Sequence, residues 1–150
     1  MDFISLAAVC VPWVDPHVMA RIVKVESSFN PYAIGIVGNL RLAKQPETKH
    51  QAKETAQWLL NHGYKIAMGL GQIYYKEMPG LNYSLDDVFD PCQNLRGSGI
   101  ILSRKYSAAK RIHVDDQMAL RAAISSYNTG SFTSGFKNGY VKQVVNVQFK

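Results

Sequence analysis

The chain has 150 residues, of which 47% are hydrophobic and 19% are charged, the composition of one soluble globular domain. Its formal net charge of +6 favours an anionic partner, such as nucleic acid, an acidic membrane or an acidic cell-wall polymer. The longest apolar run is shorter than the roughly 18 residues of a membrane helix, and the basic residues form no long block. The sequence therefore predicts neither a membrane span nor a nucleic-acid-binding stripe.

The first predicted element is a short apolar helix over residues 3–10, which Pro12 ends. Asp2 stands where a signal peptide carries basic residues, and no clear small-residue cleavage site follows it. Val9 directly precedes Cys10 and argues against a lipid-attachment site, because such sites usually have a small residue there. We interpret the segment as a core-packing helix in which no signal peptide is evident.

The next element is predicted to be the main helix, over residues 16–29. Asp15 is a suitable N-cap, and the proline after it fits the first helical position because its missing N–H group costs nothing there. Pro31 disfavours helical geometry at Asn30, so we expect the helix to end just before that residue. The apolar residues form two rows with helical spacing, Val18, Ile22 and Val25 in one, and Met19 and Val23 in the other.

Glu26 continues the second row, so its carboxylate is expected at the edge of a core and in the last helical turn. Partial burial and the negative end of the helix dipole both disfavour the charged form and raise the pKa of a carboxyl group. A raised pKa suits a general acid near neutral pH. The alternative is a surface glutamate without a catalytic function.

Glycine, asparagine and proline interrupt residues 30–46, which are predicted to be largely irregular. A capping box of Thr48 and Gln51 then opens a helix that runs to about Asn61. Gly63 follows at the position that a C-terminal glycine occupies.

The remaining segments predict little sheet. At most one small strand pair is expected, near residues 32–37 and 64–70. The fold class is therefore predicted to be mainly α.

The second half of the chain is predicted to be helical. Ser84 caps a short turn, and Asp90 with Pro91 repeats the Asp-Pro helix start. One continuous face of the helix that follows contains Cys92, Leu95, Gly99, Leu102 and Tyr106. Cys92 therefore points inward and could meet Cys10.

Asp115 or Asp116 is predicted to cap the next helix, which runs towards Ser126 before a loop that begins with Asn128. Its small residues should allow close packing: Met118, Ala119, Ala122 and Ala123. A last helix is expected over about 139–147.

Most kinds of catalytic site lack support in the sequence. The four histidines are scattered, and no His, Cys and Asp set has the spacing of a zinc site, so neither a metal nor another cofactor is predicted. No serine lies in a nucleophile elbow, and both cysteines have a structural interpretation.

Three short motifs remain, each of them weak alone: ESSFNP at 26–31, GLGQI at 69–73 and SYNTG at 126–130. Together and in this order they resemble the motifs of the soluble lytic transglycosylases, relatives of goose-type lysozyme. Further segments resemble the transglycosylases of type IV secretion systems: CVP at 10–12, YAIGIVG at 32–38, the long segment 39–65 and FDPCQNL at 89–95. The resemblance covers nearly the whole chain.

The resemblance implies a single lysozyme-like α+β domain over residues 1–150, mainly α, with at most a small β-hairpin. It assigns the catalytic acid and base to Glu26 and the glutamine that lines the sugar groove to Gln72. Tyr127 and Asn128 match the pair that holds the acid and the sugar.

Two positions depart from the pattern. Gly35 stands where some relatives have a serine, and Tyr74, a further expected substrate contact, stands where relatives often have Met or Asn. Export to an oxidising periplasm, together with the inward position of Cys92, predicts a Cys10–Cys92 disulfide.

The function that the resemblance implies is lytic cleavage of the MurNAc–GlcNAc bond of peptidoglycan with formation of 1,6-anhydroMurNAc. The enzyme would open the cell wall for a secretion or conjugation apparatus, with glycan strands and secretion-system components as partners. The alternatives are a water-using muramidase and a non-catalytic wall-binding assembly protein. Ordinary glycosidases need a second carboxylate, and Asp86, Asp87, Asp90, Asp115 and Asp116 are all interpreted as caps or exposed turn residues.

Overall fold

The computed structural model describes residues 2–149 and has a mainly helical fold with a small antiparallel sheet. The chain divides into two compact units, the first ending at Ser98 and the second beginning at Gly99. That residues 1–150 form one domain stays a prediction.

The first unit contains the sheet. Its helices are α1 (Phe3–Cys10), α2 (Pro16–Ser27), α3 (Lys49–Asn61), α4 (Met78–Leu81), α5 (Leu85–Val88) and the first part of α6 (Pro91–Lys110). Its strands are β1 (Ile34–Ile36), β2 (Ile66–Met68) and β3 (Ile73–Tyr74), and a 3₁₀ turn (Tyr75–Glu77) leads into α4.

Side-chain caps start these helices where the sequence places them. The Asp15 carboxylate accepts a hydrogen bond from the His17 N–H at 2.8 Å, which confirms the predicted start of α2. The Thr48 hydroxyl accepts from the Gln51 N–H at 3.1 Å at the start of α3. The Gln51 amide oxygen accepts in turn from the Glu47 N–H, one residue earlier than a capping box requires. Such caps can be predicted from the sequence because the donor and the acceptor are close together in the chain.

The predicted end of α2 is wrong by two residues, since the helix stops at Ser27. Ser28 and Phe29 both adopt left-handed backbone conformations, with φ of 51° and 64°. The Phe29 ring lies 5.1 Å from the ring of Phe3 in α1. Packing of this aromatic pair accompanies the early stop, whereas the Pro31 restriction applies only at Asn30.

The sheet has three antiparallel strands in the order β1-β2-β3, one strand more than the expected hairpin. Directly opposite residues share a face of the sheet. One face is buried and holds Ile34, Met68 and Ile73. The opposite face holds a row of Gly35, Ala67 and Tyr74, which we call the outer row.

A disulfide between Cys10 and Cys92 joins the end of α1 to the first turn of α6, as predicted, with the two Cα atoms 5.2 Å apart. The Asp90 carboxylate accepts from the Gln93 N–H at 2.9 Å and so confirms the Asp-Pro start of α6. The first helix is thereby fixed to a residue 82 positions later in the chain.

An ion-pair cluster joins α3 to α5. The Asp86 carboxylate lies 3.1 Å from the Lys53 ammonium and 3.2 Å from that of Lys49. Hydrogen bonds from Lys53 and then Lys49, together with their charges, lower the pKa of Asp86 from its ordinary value of 3.8.

The second unit comprises the rest of α6, α7 (Asp116–Thr129), α8 (Ser134–Lys137) and α9 (Tyr140–Asn146). Asp115 caps α7 by accepting from the Met118 N–H. The Met118 side chain is 44% exposed and does not belong to the small buried face predicted for this helix. Ala119, Ala122 and Ala123 do form that face.

Helix α8 was not predicted. It packs against α7 at Gly135, where the Gly135 N–H donates to the Ser125 hydroxyl at 2.7 Å. A Cβ atom at Gly135 would lie 2.6 Å from the Ser125 Cα atom. Only glycine allows this approach of the two helices.

Candidate functional site

The last turn of α2, with Glu26, is held against the GLGQ segment. The Ser27 hydroxyl donates to the Leu70 carbonyl oxygen at 2.7 Å. Glu26 is half-buried, as its place at the end of an apolar row predicts. The structure therefore brings together, within the first unit, two of the three motifs that the sequence singled out.

The GLGQ segment forms a tight turn between β2 and β3. Gly69 and Gln72 both have left-handed backbones, with φ of 80° and 50°. This conformation is costly for a residue with a side chain, and here the side chain itself stabilises it. The Gln72 amide nitrogen donates to the Ala33 and Gly69 carbonyl oxygens, each at 3.0 Å.

Asn94, which was not predicted as a site residue, stabilises this turn through hydrogen bonds. Its side chain is 1% exposed and lies in α6. Its amide nitrogen donates to the carbonyl oxygens of Met68 (3.0 Å) and Val88 (2.7 Å), and its oxygen accepts from the Gly71 N–H at 2.8 Å. A buried asparagine with backbone partners fixes the shape of the turn. The sequence signal that could have indicated Asn94 is a polar residue beside the predicted apolar face of α6.

Steric contacts constrain the turn in addition to its hydrogen bonds. A Cβ atom at Gly69 would collide with the Asn94 amide nitrogen and would lie 2.7 Å from the Val88 carbonyl oxygen. The first glycine of GLGQ is therefore needed both for its backbone conformation and for room.

Tyr74 lies in the outer row of the sheet, directly after Gln72 and Ile73. Its ring meets the Tyr75 ring edge to face, with centroids 4.9 Å apart. Tyr74 is only partly buried. A half-exposed aromatic ring beside the GLGQ turn fits the sugar contact expected of it, and that contact stays a prediction.

Tyr127 and Asn128 lie in the second unit, in the last turn of α7, so the loop that was predicted to begin at Asn128 starts later. The helix continues to Thr129 and ends where Gly130 adopts a left-handed conformation with φ of 78°. The Asn128 side chain is exposed, and its oxygen accepts from the Asn138 amide at 3.1 Å. Tyr127 is half-buried. That these two side chains join Glu26 stays a prediction.

The described residues contain no group of three His, Cys, Asp or Glu side chains that could hold a metal ion. Over the same residues, no helix combines the length and the apolar character needed to cross a membrane.

Comparison with known proteins decides the family. Residues 4–147 match the transglycosylase SLT domain family. The chain belongs to this family. The match covers all three motifs and confirms the resemblance to the lytic transglycosylases.

Relatives of this SLT domain include type IV secretion proteins. The chain is 43% identical over 151 residues to the "Type IV secretion system protein virB1" of Brucella suis. The alignment covers 97% of this chain and 63% of that protein. It is 35% identical over 150 residues to the "Protein virB1" of Agrobacterium fabrum, covering 95% of this chain and 58% of the relative. The SLT domain thus spans about 60% of the length of these relatives. No solved structure matches the chain.

Proposed function

We propose that this SLT domain is a peptidoglycan lytic transglycosylase with Glu26 as its single catalytic acid and base. The observation that carries the proposal is the Ser27–Leu70 hydrogen bond, which holds the last turn of α2 against the GLGQ turn. An acid at the end of a helix then adjoins a turn that presents a fixed glutamine. Membership of the SLT family supports the same reaction class.

The reaction uses Glu26 twice. The protonated carboxyl donates its proton to the glycosidic oxygen, the C1–O bond of MurNAc breaks, and the GlcNAc end leaves as an alcohol. The acetamido oxygen of MurNAc supports the positive charge at C1. The Glu26 carboxylate then takes the proton of the C6 hydroxyl, whose oxygen bonds to C1 and closes the 1,6-anhydro ring. Glu26 is again protonated, and no water is consumed.

The other carboxylates support a mechanism with one acid. Nine of the eleven Asp and Glu residues, all within the described part of the chain, cap a helix, complete a capping box or pair with a cationic or histidine side chain. Of the other two, Glu26 lies in the last turn of α2, which is held against the GLGQ turn, and Glu77 lies in the 3₁₀ turn that follows β3. For a hydrolase that follows the usual two-carboxylate route, Glu77 is the candidate second carboxylate that we test.

Glu26→Gln and Glu77→Gln form a matched pair of variants that tests this proposal. Glu26→Gln is nearly isosteric and removes the transferable proton, so we expect release of muropeptides from purified sacculi to stop. Glu77→Gln should retain wild-type turnover. Turnover by Glu26→Gln would refute the assignment of the acid, and loss of activity in Glu77→Gln as well as in Glu26→Gln would favour the water-using muramidase.

We further propose that the domain acts in the periplasm and opens the wall for a type IV secretion or conjugation apparatus. The name of the Brucella relative, a type IV secretion system protein, supports the link to secretion. The Cys10–Cys92 disulfide supports an oxidising compartment. A purely wall-binding assembly protein is the alternative, and the same assay of the wild type distinguishes it because that protein would release no muropeptides.

A further inference from the structure

The orientation of the Gln72 side-chain amide is fixed by its partners. Both groups near its nitrogen are backbone carbonyl oxygens, of Ala33 and Gly69, and a carbonyl can only accept. The amide must therefore turn its NH₂ group towards them. Its two N–H bonds are used within the protein, and Oε1 is the polar atom that remains for a ligand.

Gly35 provides the room for that oxygen. A Cβ atom at position 35 would lie 2.6 Å from Gln72 Oε1. Ordinary contact begins at 3.4 Å, so the oxygen would have to withdraw by about 0.8 Å. A movement of this size would disturb the two 3.0 Å hydrogen bonds that hold the same amide. Gly35 is not among the glycines with positive φ, so its backbone does not require glycine.

Gly35 and the Gln72 amide lie on the face of the sheet that carries the outer row. The Cβ direction of Gly35 points to the same face as those of Ala67 and Tyr74. Since Oε1 occupies the space where the Gly35 Cβ would be, the amide lies over the outer row. Gln72 Oε1 and the Tyr74 ring are thus on one face of the sheet.

We propose that Gly35 and Gln72 together form a hydrogen-bond acceptor site for the glycan, in which Gly35 is a positioning residue and Gln72 Oε1 binds the sugar. The proposal rests on the proposed function. An amide oxygen accepts only, so the sugar group that it takes is a donor, a hydroxyl or an acetamido N–H. Gln72 does not donate to the glycosidic oxygen or to the acetamido carbonyl oxygen, and it does not act as an electrophile in the reaction.

The departure at position 35 acquires a physical reason in this account. A serine would place its Cβ atom in the space that the Gln72 oxygen occupies. In this chain, serine at position 35 would therefore require a different placement of the Gln72 amide. This SLT domain, with glycine, can hold the amide on two backbone carbonyls and still expose its acceptor.

A double-mutant cycle of Gly35→Ala and Gln72→Ala tests the coupling. Loss of one sugar hydrogen bond corresponds to about a five- to tenfold change, so we expect either single variant to lower kcat/KM on soluble glycan oligomers by about that factor. The double variant should be no worse than Gln72→Ala, because the displaced amide has already lost its function. Gly80→Ala is the control, since no atom lies within 4 Å of a Cβ at Gly80 and its φ is ordinary.

Calorimetry measures the binding of a chitooligosaccharide to these variants in the Glu26→Gln background. This measurement tests the proposed acceptor site separately from the proposed transglycosylase activity. Weaker binding by Gly35→Ala than by Gly80→Ala, with equal melting temperatures, supports the acceptor site even if the wild type shows no turnover. Equal binding and equal kcat/KM of Gly35→Ala and Gly80→Ala would overturn it while the wild type remains an active transglycosylase. Losses that multiply in the double variant would also overturn it.

Discussion

Asn94→Ala should be the most damaging polar substitution in the first unit. Asn94 makes three hydrogen bonds to backbone groups, two through its nitrogen and one through its oxygen, and its side chain is 1% exposed. Alanine removes all three. The carbonyl oxygens of Met68 and Val88 and the Gly71 N–H would each lose this partner in a site that water does not readily enter.

The expected loss of stability follows from these contacts. A net contribution of about 1 kcal/mol per hydrogen bond gives a loss of roughly 3 kcal/mol in the free energy of unfolding. For a domain of this length that corresponds to a fall in Tm of about 6–12 °C. Urea titration followed by circular dichroism measures it directly. Arg96→Ala, an exposed position in the same helix, serves as the control and should change stability by less than about 0.5 kcal/mol.

Hydrogen exchange adds a local measurement to the global one. The Gly71 amide donates to Asn94 in the wild type, so its exchange should accelerate in Asn94→Ala more than that of amides in α3. A loss of less than about 1 kcal/mol with unchanged protection of Gly71 would refute the view that Asn94 shapes the GLGQ turn.

Two further predictions concern the disulfide and the ion pairs. Replacing both cysteines by serine opens a loop closed over 82 positions and should lower the free energy of unfolding by about 3–5 kcal/mol, as measured by urea titration. Unchanged stability would show that the crosslink does not constrain the unfolded chain. The lowered pKa of Asp86 means that its contribution to stability is present above the unperturbed value of 3.8 and is lost as pH falls through the lower folded value. Wild type and Asp86→Asn should therefore differ in Tm at neutral pH and converge in acid, and a constant difference across that range would contradict the assignment.

The sequence predicts those features of the fold that depend on neighbouring residues. The Asp15 and Thr48 caps start their helices where expected, because each side chain bonds a backbone group two or three positions away. The face of α6 that carries Cys92 was readable from its helical spacing, and the disulfide followed once an oxidising compartment was inferred.

Features that depend on distant partners were missed. Asn94 bonds backbone atoms more than twenty positions away, and nothing near it in sequence announces them. Strand β3 has two residues and α8 has four, too few to show a period. Asn128 was interpreted as a helix breaker, yet it ends as part of α7 with its side chain bonded to Asn138.

The candidate site shows the same division. Motif order predicts Glu26, Gln72, Tyr127 and Asn128 as site residues, and the structure joins the segments of the first two through Ser27. The significance of Gly35 could not be read from its own position. It appears only when the Gln72 oxygen is placed in space.

The identity of the sugar ends released from purified peptidoglycan tests the central claim most directly. A single acid that deprotonates the C6 hydroxyl must leave 1,6-anhydroMurNAc ends, because the nucleophile belongs to the sugar that is cleaved. Mass spectrometry of the soluble muropeptides should show products one water lighter than those of a hydrolytic muramidase. Products with mainly reducing MurNAc ends would contradict the account, even if Glu26 proves essential.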